Sequence, residues 1–334
     1  MTIKLTRELL YGDAVKKFET LKSTELNRPI TIRDVSLEKI VKHTYSSVGV
    51  DDSLITAKVV DQVVRGAEED ENLWRKIAQV TQLTTEIQRV PVITPDDFIV
   101  YDWVQGTKAR SMGGAIWSWK FDCSQSKGLH AADINFTKND LKAGGFGKME
   151  EALWCAGQSI GRHLLQAVIA ELLTDVNAAM TDTLANWGNG HYKSLVKMES
   201  LLAKVGMSGT TVVLVNPDEG YDIGISDYFI NQHYIGAAKG IPSDLHTVGD
   251  LYGRIPIYRH RDMTAASMIM ALFGKAVGVG LYQDVEIAEY EDVREGIEGA
   301  IASIQFDVKS GKDVEGPSGA TSPIAKSWAV CTVA

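Results

Sequence analysis

Cysteine is scarce in this sequence, and its spacing is uninformative in a useful way. The three present, Cys123, Cys155 and Cys331, are far apart, odd in number and without a Cys-x-x-Cys pair. That pattern excludes a disulfide frame and a zinc ribbon, and reduced thiols in a cytosolic setting are expected. Also lacking is an uncharged apolar run of about 18 residues, the length a membrane-spanning helix needs. The start, MTIKLTRELLYGDAVKKF, has charges where a signal peptide needs its apolar region, so a soluble intracellular product is expected. There is no excess of base: 34 Lys and Arg face 43 Asp and Glu, a net charge of −9. A protein whose main task is gripping nucleic acid through phosphates needs the opposite balance. Residues 1–50 alone hold nine basic and six acidic residues, an excess that chance fluctuation of charge explains better than a polyanion-facing arm.

Catalytic and cofactor signatures are missing as well. Gly144-Gly145-Phe146-Gly147-Lys148 resembles a phosphate loop, but Lys142 stands where the first glycine belongs and Met149 where Ser or Thr must follow. Gly278-Val279-Gly280 lacks the third glycine of a dinucleotide fingerprint, and no helical pattern separates it from Asp284. The seven histidines, at 43, 130, 163, 191, 233, 246 and 260, show neither His-x-x-x-His nor His-Glu-x-x-His spacing. His163 sits beside an apolar helical stripe and reads as a packed or hydrogen-bonded residue; His130 with Asp133, and His260 with Asp262, read as local pairings. Carboxylate pairs such as Asp51-Asp52, Glu68-Glu69 and Asp96-Asp97 fall in turns or exposed helix ends, where solvated charge accounts for them. No catalytic, cofactor-binding or metal-binding residue is expected.

What the chain has is apolar pattern. At 334 residues and 45% hydrophobic content it can bury a substantial core. The first 66 residues read as short helices with polar breaks: Leu9, Leu10, Val15 and Phe18 keep helical spacing, and Ser53 can cap the run from Leu54 to Val64. Thr85–Thr94 reads as a strand, and Pro91, with no N–H to give, sets it at a sheet edge. Pro95–Ala132 is glycine- and aromatic-rich, and Ile116–Phe121 alternates as a strand would, so a long two-stranded excursion is expected. Its tryptophans either cover a neighbouring subunit or pack on their own chain. Ala143–Gly147 breaks the chain before its longest helical pattern, Lys148–Ala178, in which Ile160, Leu164, Val168, Leu172 and Val176 recur every four residues. Such a helix is roughly 46 Å long at about 1.5 Å per residue. A short amphipathic helix follows at Leu195, Met198, Leu201, Leu202 and Val205.

Three punctuated apolar runs come next: Thr211–Gly220, closed by Asn216-Pro217; Asp250–Met263, with a glycine and a proline around Arg254-Ile255; and Ser267–Ile287, broken at Gly274. The order strand-Asn-Pro, then Leu-x-Gly-x-x-Pro (Leu251 to Pro256), then Ala-Leu-x-Gly (Ala271 to Gly274) with a following strand resembles the axial domain of tailed-virus major capsid proteins of the Hong Kong 97 type. The likeness covers residues 66–334 in order of parts and is sharpest at 211–290.

The resemblance implies an α+β shell fold: an N-terminal arm at 1–66, a peripheral domain at 67–180 with an extended loop at 95–132 and a spine helix at 148–178, an axial domain at 181–283, and a return to the peripheral domain at 284–334. It implies a major capsid protein whose pentamers and hexamers close around double-stranded DNA in a virion, assembled in the host cytoplasm, with portal, scaffold or decoration proteins as further partners and no membrane. Some members of that family join subunits through a Lys–Asn bond; Lys108, Lys120 and Lys127 lie in the expected loop, with no partner asparagine to assign. An encapsulin-like nanocompartment that encloses enzyme cargo is the nearest alternative, and an α/β enzyme using the glycine-rich segments is the second.

Overall fold

The computed structural model describes residues 61–67, 72–92, 117–174, 192–204, 210–225, 247–251, 255–265, 267–292, 297–316, 324–325 and 327–332. Of the arm expected at 1–66, only 61–66 fall among them. The chain divides into two compact units: Met1–Asn72, Ser124–Leu165 and Tyr282–Phe306, and Leu73–Cys123, Gln166–Leu281 and Asp307–Ala334.

In the first unit, strand β4 (Leu129–Thr137) runs directly into helix α1 (Lys138–Thr174), whose residues up to Leu165 belong here. Along α1 the spacing of Leu153, Ile160 and Leu164, all buried, marks the face turned to the core. Its 37 residues make a rod of about 55 Å. The helix was expected to begin at Lys148 after a glycine break, but Gly144, Gly145 and Gly147 lie inside it. Each glycine costs about 1 kcal/mol of helix propensity, a weak preference that tertiary context routinely overrides; among the described residues the buried leucines and isoleucines of α1 begin at Leu153. Residues 175–178 of the expected helix lie outside the described residues. β4 pairs antiparallel with β10 (Ile297–Ser310), His130 opposite Ile304 and Ile134 opposite Ala300. Helical residues 61–67 cross α1 backbone to backbone: a Cβ on Gly157 would collide with the carbonyl oxygen of Val63, and one on Gly66 with that of Trp154. Arg65 covers the Trp154 ring, its Cζ 5.5 Å from the ring centre.

The second unit holds a five-stranded sheet of order β12-β8-β5-β7-β6. The strands are β5 (Thr211–Val215), β6 (Thr247–Leu251), β7 (Ile255–Arg259), β8 (Ser267–Leu272) and β12 (Trp328–Thr332). β5 runs parallel to β7; the other neighbours are antiparallel. The Val- and Met-rich runs of β5 and β8 are buried almost throughout, as central strands covered on both sides must be. Helix α2 (Tyr192–Lys204) packs on β12 and β8 and presents Leu195, Met198 and Leu202 on one stripe. These meet Val213, Val215, Met268, Met270, Ala329 and Cys331, the alternate residues of three strands, which is the two-residue period of a sheet face. Helix α3 (Pro217–Ile225) leaves β5 at once, with proline at its first position and the Asn216 Oδ1 accepting the Asp218 N–H at 3.1 Å.

Strand β9 (Val277–Asp292) follows β8 through a turn at Gly274, whose φ of 69° favours glycine. Its start pairs in parallel with β1 (Gln79–Gln82). A three-stranded sheet of order β11-β3-β2 is built from β2 (Ile87–Val92), β3 (Trp117–Asp122) and β11 (Val314–Glu315). Pro91 thus stands on an edge strand, as its missing N–H requires. The strand expected at Ile116–Phe121 is β3. Within the excursion expected at 95–132, residues 117–122 are a paired sheet strand and 129–132 belong to β4, so only 93–116 fall outside the described residues. Trp328–Thr332, expected as a terminal strand, is β12 and pairs with β8 in the five-stranded sheet, where its small and apolar Ala329 and Cys331 complete the core under α2.

Candidate functional site

Val92 lies opposite Trp117 at the end of the β2–β3 ladder, so the structure brings together the two ends of segment 93–116. The base is rigid. Trp119 and Phe121 are fully buried over β9, where Gly278 and Gly280 leave room for the rings: a Cβ on Gly278 would stand 3.1 Å from Trp119, and one on Gly280 2.6 Å from Phe121. The Trp119 indole N–H donates to the Ser310 carbonyl at 2.9 Å, and the Cys123 thiol to the Gly280 carbonyl at 3.5 Å. Of the two readings open for these aromatics, packing on their own chain holds for Trp119 and Phe121. Across the outer surface the Arg89 guanidinium bonds Glu315 at 2.6 Å, tying β2 to β11. Lys120 faces Arg89, Lys127 lies in a tight turn, and Lys108 is outside the described residues.

No set of three or more His, Cys, Asp or Glu side chains among the described residues could hold a metal ion. The phosphate-loop look-alike is helix, and Gly278 and Gly280 serve ring packing. His260, read as a surface pairing, is buried; its Nδ1 accepts the Asp262 N–H at 3.2 Å and its own N–H donates to the Val215 carbonyl at 3.0 Å. With the Asn216 side chain donating to the Met263 carbonyl at 2.8 Å, it braces the ends of the parallel strands β5 and β7. Cys123 and Cys331 are buried and Cys155 is exposed, all as free thiols. No helix among the described residues is long and apolar enough to cross a membrane.

Two ionisable pairs were invisible in the sequence. His130, assigned to Asp133 by proximity, instead meets His163: the His130 Nδ1 and His163 Nε2 are 2.9 Å apart, and the His130 ring stacks on Phe306 with centres 4.4 Å apart. Burial, and the neighbouring His163, hold His130 below its usual value. The second pair is Glu171 of α1 with Asp313 in the turn after β10. Burial first, then the hydrogen bond with Asp313 and its charge, pushes Glu171 up to about 7. Asp313 is also penalised by burial, but its bonds with Glu171 and with the Ser310 N–H and hydroxyl, each 3.0 Å from its Oδ2 in the case of Ser310, hold it below its usual value. The opposite shifts favour a shared proton on Glu171 over one on Asp313. Neither pair has a local period, since 33 residues part the histidines and the acids meet only through the fold.

Large apolar side chains remain exposed at Ile87, Leu129, Tyr221, Phe273 and Ile301. Leu129 and Ile301 share one face of the β4–β10 ladder, where each opposes a polar residue, Gln305 and Asp133.

No protein-family model matches the sequence, and no curated protein does. Solved structures match the fold. A virus-like particle from Pyrococcus furiosus aligns with a TM-score of 0.51 at 14% identity, over 82% of this chain and 97% of that one. The mature capsid of bacteriophage PhiM1 aligns at 0.50 and 10% identity, over 78% and 86%. A structure of Microbacterium phage Oxtober96 aligns at 0.50 and 14%, over 78% and 90%. The chain has the Hong Kong 97-like capsid fold.

Proposed function

We propose that this protein is a major capsid protein, a structural subunit whose copies form pentamers and hexamers and close into an icosahedral shell around double-stranded DNA. The observation that carries this reading is the match to the PhiM1 capsid and the virus-like particle over about four-fifths of the chain. In this reading residues 1–66 lash neighbouring subunits, and segment 93–116, held at the rigid β2–β3 base, overlaps an adjacent copy. The long helix stiffens the floor, and the five-stranded sheet meets the symmetry axis. The role is mechanical, not enzymatic. Exposed Leu129 and Ile301 would be covered by contacts, and a few kcal/mol per contact, repeated over many copies, holds a shell while letting misplaced subunits leave. Portal and scaffold proteins, and a virion location reached after assembly in the host cytoplasm, belong to the same reading.

The likeness to a particle named for a cellular organism and not for a phage favours one second reading, a nanocompartment shell around protein cargo. Size-exclusion chromatography with light scattering, followed by negative-stain microscopy, tests the shell itself: closed particles are expected, and a persistent monomer at high concentration overturns both readings. Nucleic acid that copurifies from the native source supports the capsid, and a copurifying protein the nanocompartment.

A further inference from the structure

We propose that His130 and His163 form a two-imidazole chelate for a borderline divalent transition-metal ion such as Ni²⁺, Cu²⁺ or Zn²⁺. The two nitrogens that face each other, His130 Nδ1 and His163 Nε2, are 2.9 Å apart. Two imidazole nitrogens on one tetrahedral ion, each bonded at about 2.0–2.1 Å, stand about 3.3 Å apart, so a small outward movement of either ring admits the ion. The ring centres are 4.6 Å apart with planes at 55°, too close for rings set end to end along that line. They lean together instead.

The supports of the pair are fixed. His130 stands in β4, whose ladder with β10 sets its position opposite Ile304, and its ring is stacked on Phe306 at 4.4 Å. His163 projects from the middle of α1, one residue before the buried Leu164 and Leu165. Rigid elements of this kind hold ligands more accurately than loops do. His163 is exposed and His130 partly so, which gives an ion entry from solvent. A neutral imidazole is the form that binds a metal. On binding, the ring that donates the hydrogen bond takes its other neutral tautomer: its proton leaves the facing nitrogen while one is taken up at the outer nitrogen of the same ring, so both facing nitrogens bond the ion with no net proton release. The described residues offer no third His, Cys, Asp or Glu ligand, so the remaining positions take water or a donor from another molecule. Nitrogen ligands select along the series that rises to Cu²⁺, and against Mg²⁺ and Ca²⁺.

The test uses untagged full-length protein, titrated with Ni²⁺ and separately with Mg²⁺ by calorimetry, beside His163→Gln and His130→Asn variants checked by circular dichroism. One saturable Ni²⁺ site per chain is expected in the wild type, and none for Mg²⁺. Each variant should weaken that site at least tenfold, the lower end of what even an outer-shell partner's loss brings. Wild-type affinity in His163→Gln, which changes an exposed helix residue, overturns the proposal whatever happens to His130→Asn. So does an absence of saturable Ni²⁺ binding in the wild type. Neither result bears on whether the chain forms shells.

Discussion

Gly280 of β9 lies directly beneath the ring of Phe121, so close that a Cβ there would stand 2.6 Å from Phe121 Cγ and 2.9 Å from Leu83 Cδ1. Phe121 has no exposed surface, and Cγ is the near end of its side chain, fixed by the β2–β3 ladder. A methyl group therefore cannot be absorbed by swinging a flexible tip. Gly280→Ala should destabilise the protein by about 1–3 kcal/mol, the usual cost of overpacking a closed core. A urea midpoint equal to wild type would show that the ring shifts freely.

Gly157 makes a contact of another kind, because the obstacle is the backbone of Val63. Gly157→Ala would push helical residues 61–67 off α1 and forfeit the burial of Val63 and the Arg65–Trp154 contact. The loss should be local, with the five-stranded sheet unaffected. Hydrogen exchange is the fitting measurement: faster exchange at residues 63–67, with unchanged protection in β5 and β8, is expected. Uniform protection in the variant would refute the close crossing.

These two glycines also mark where sequence reading reached and where it stopped. Strands β5 and β8 and helix α2 were legible because their signals are local: a β-branched run, an unbroken apolar run, and Leu195, Met198 and Leu202 at helical spacing. The Asn216-Pro217 stop was legible because proline leaves a strand and enters a helix start for reasons its own ring dictates. β4 was not, since LHAADINFT alternates weakly and only its partner β10, far along the chain, shows which side is covered. The start of α1 was missed because three glycines speak against a helix, and propensity is a weak guide within a folded chain. The destination of Trp119 depended on two glycines in β9, and the His130–His163 and Glu171–Asp313 pairs depended on the fold itself. No period in the sequence encodes such meetings.

The Glu171–Asp313 pair makes stability depend on pH in a direction opposite to that of an ordinary salt-bridged carboxylate. Glu171 rises from 4.5 to about 7 on folding, so between those values the folded chain binds more proton than the unfolded one. Stability from this group is complete below about pH 4.5, falls as pH climbs toward 7 and is level above. Asp313, held low, acts oppositely and only near and below its usual 3.8. Since both carboxyls are about half-buried and screened by water, direction is the firm expectation. Glu171→Gln replaces the shared proton with an amide N–H that donates to Asp313 at every pH. Its melting temperature should lack the decline expected of wild type between pH 5 and 7, and should exceed wild type at pH 8. Parallel pH profiles for the two proteins would count against the shared proton.

The hydrogen bond from the Trp119 indole to the Ser310 carbonyl gives a last prediction, because it joins β3 to the end of β10 inside the core. Trp119 is 1% exposed. Trp119→Phe keeps an aromatic ring over Gly278 but withdraws the donor, so the Ser310 carbonyl loses a partner where water has little access. An unsatisfied buried acceptor costs about 1–3 kcal/mol, and the volume lost with the indole adds a cavity term of the kind that makes large-to-small core changes expensive. The Ser310 hydroxyl and N–H continue to hold Asp313, so the turn after β10 should survive. Two readouts separate these effects. The urea midpoint should fall, while the pH dependence attributed to Glu171 should persist in Trp119→Phe with its shape unchanged. A variant as stable as wild type would mean that the carbonyl finds another donor, and a vanished pH dependence would mean that the turn had moved with the ring.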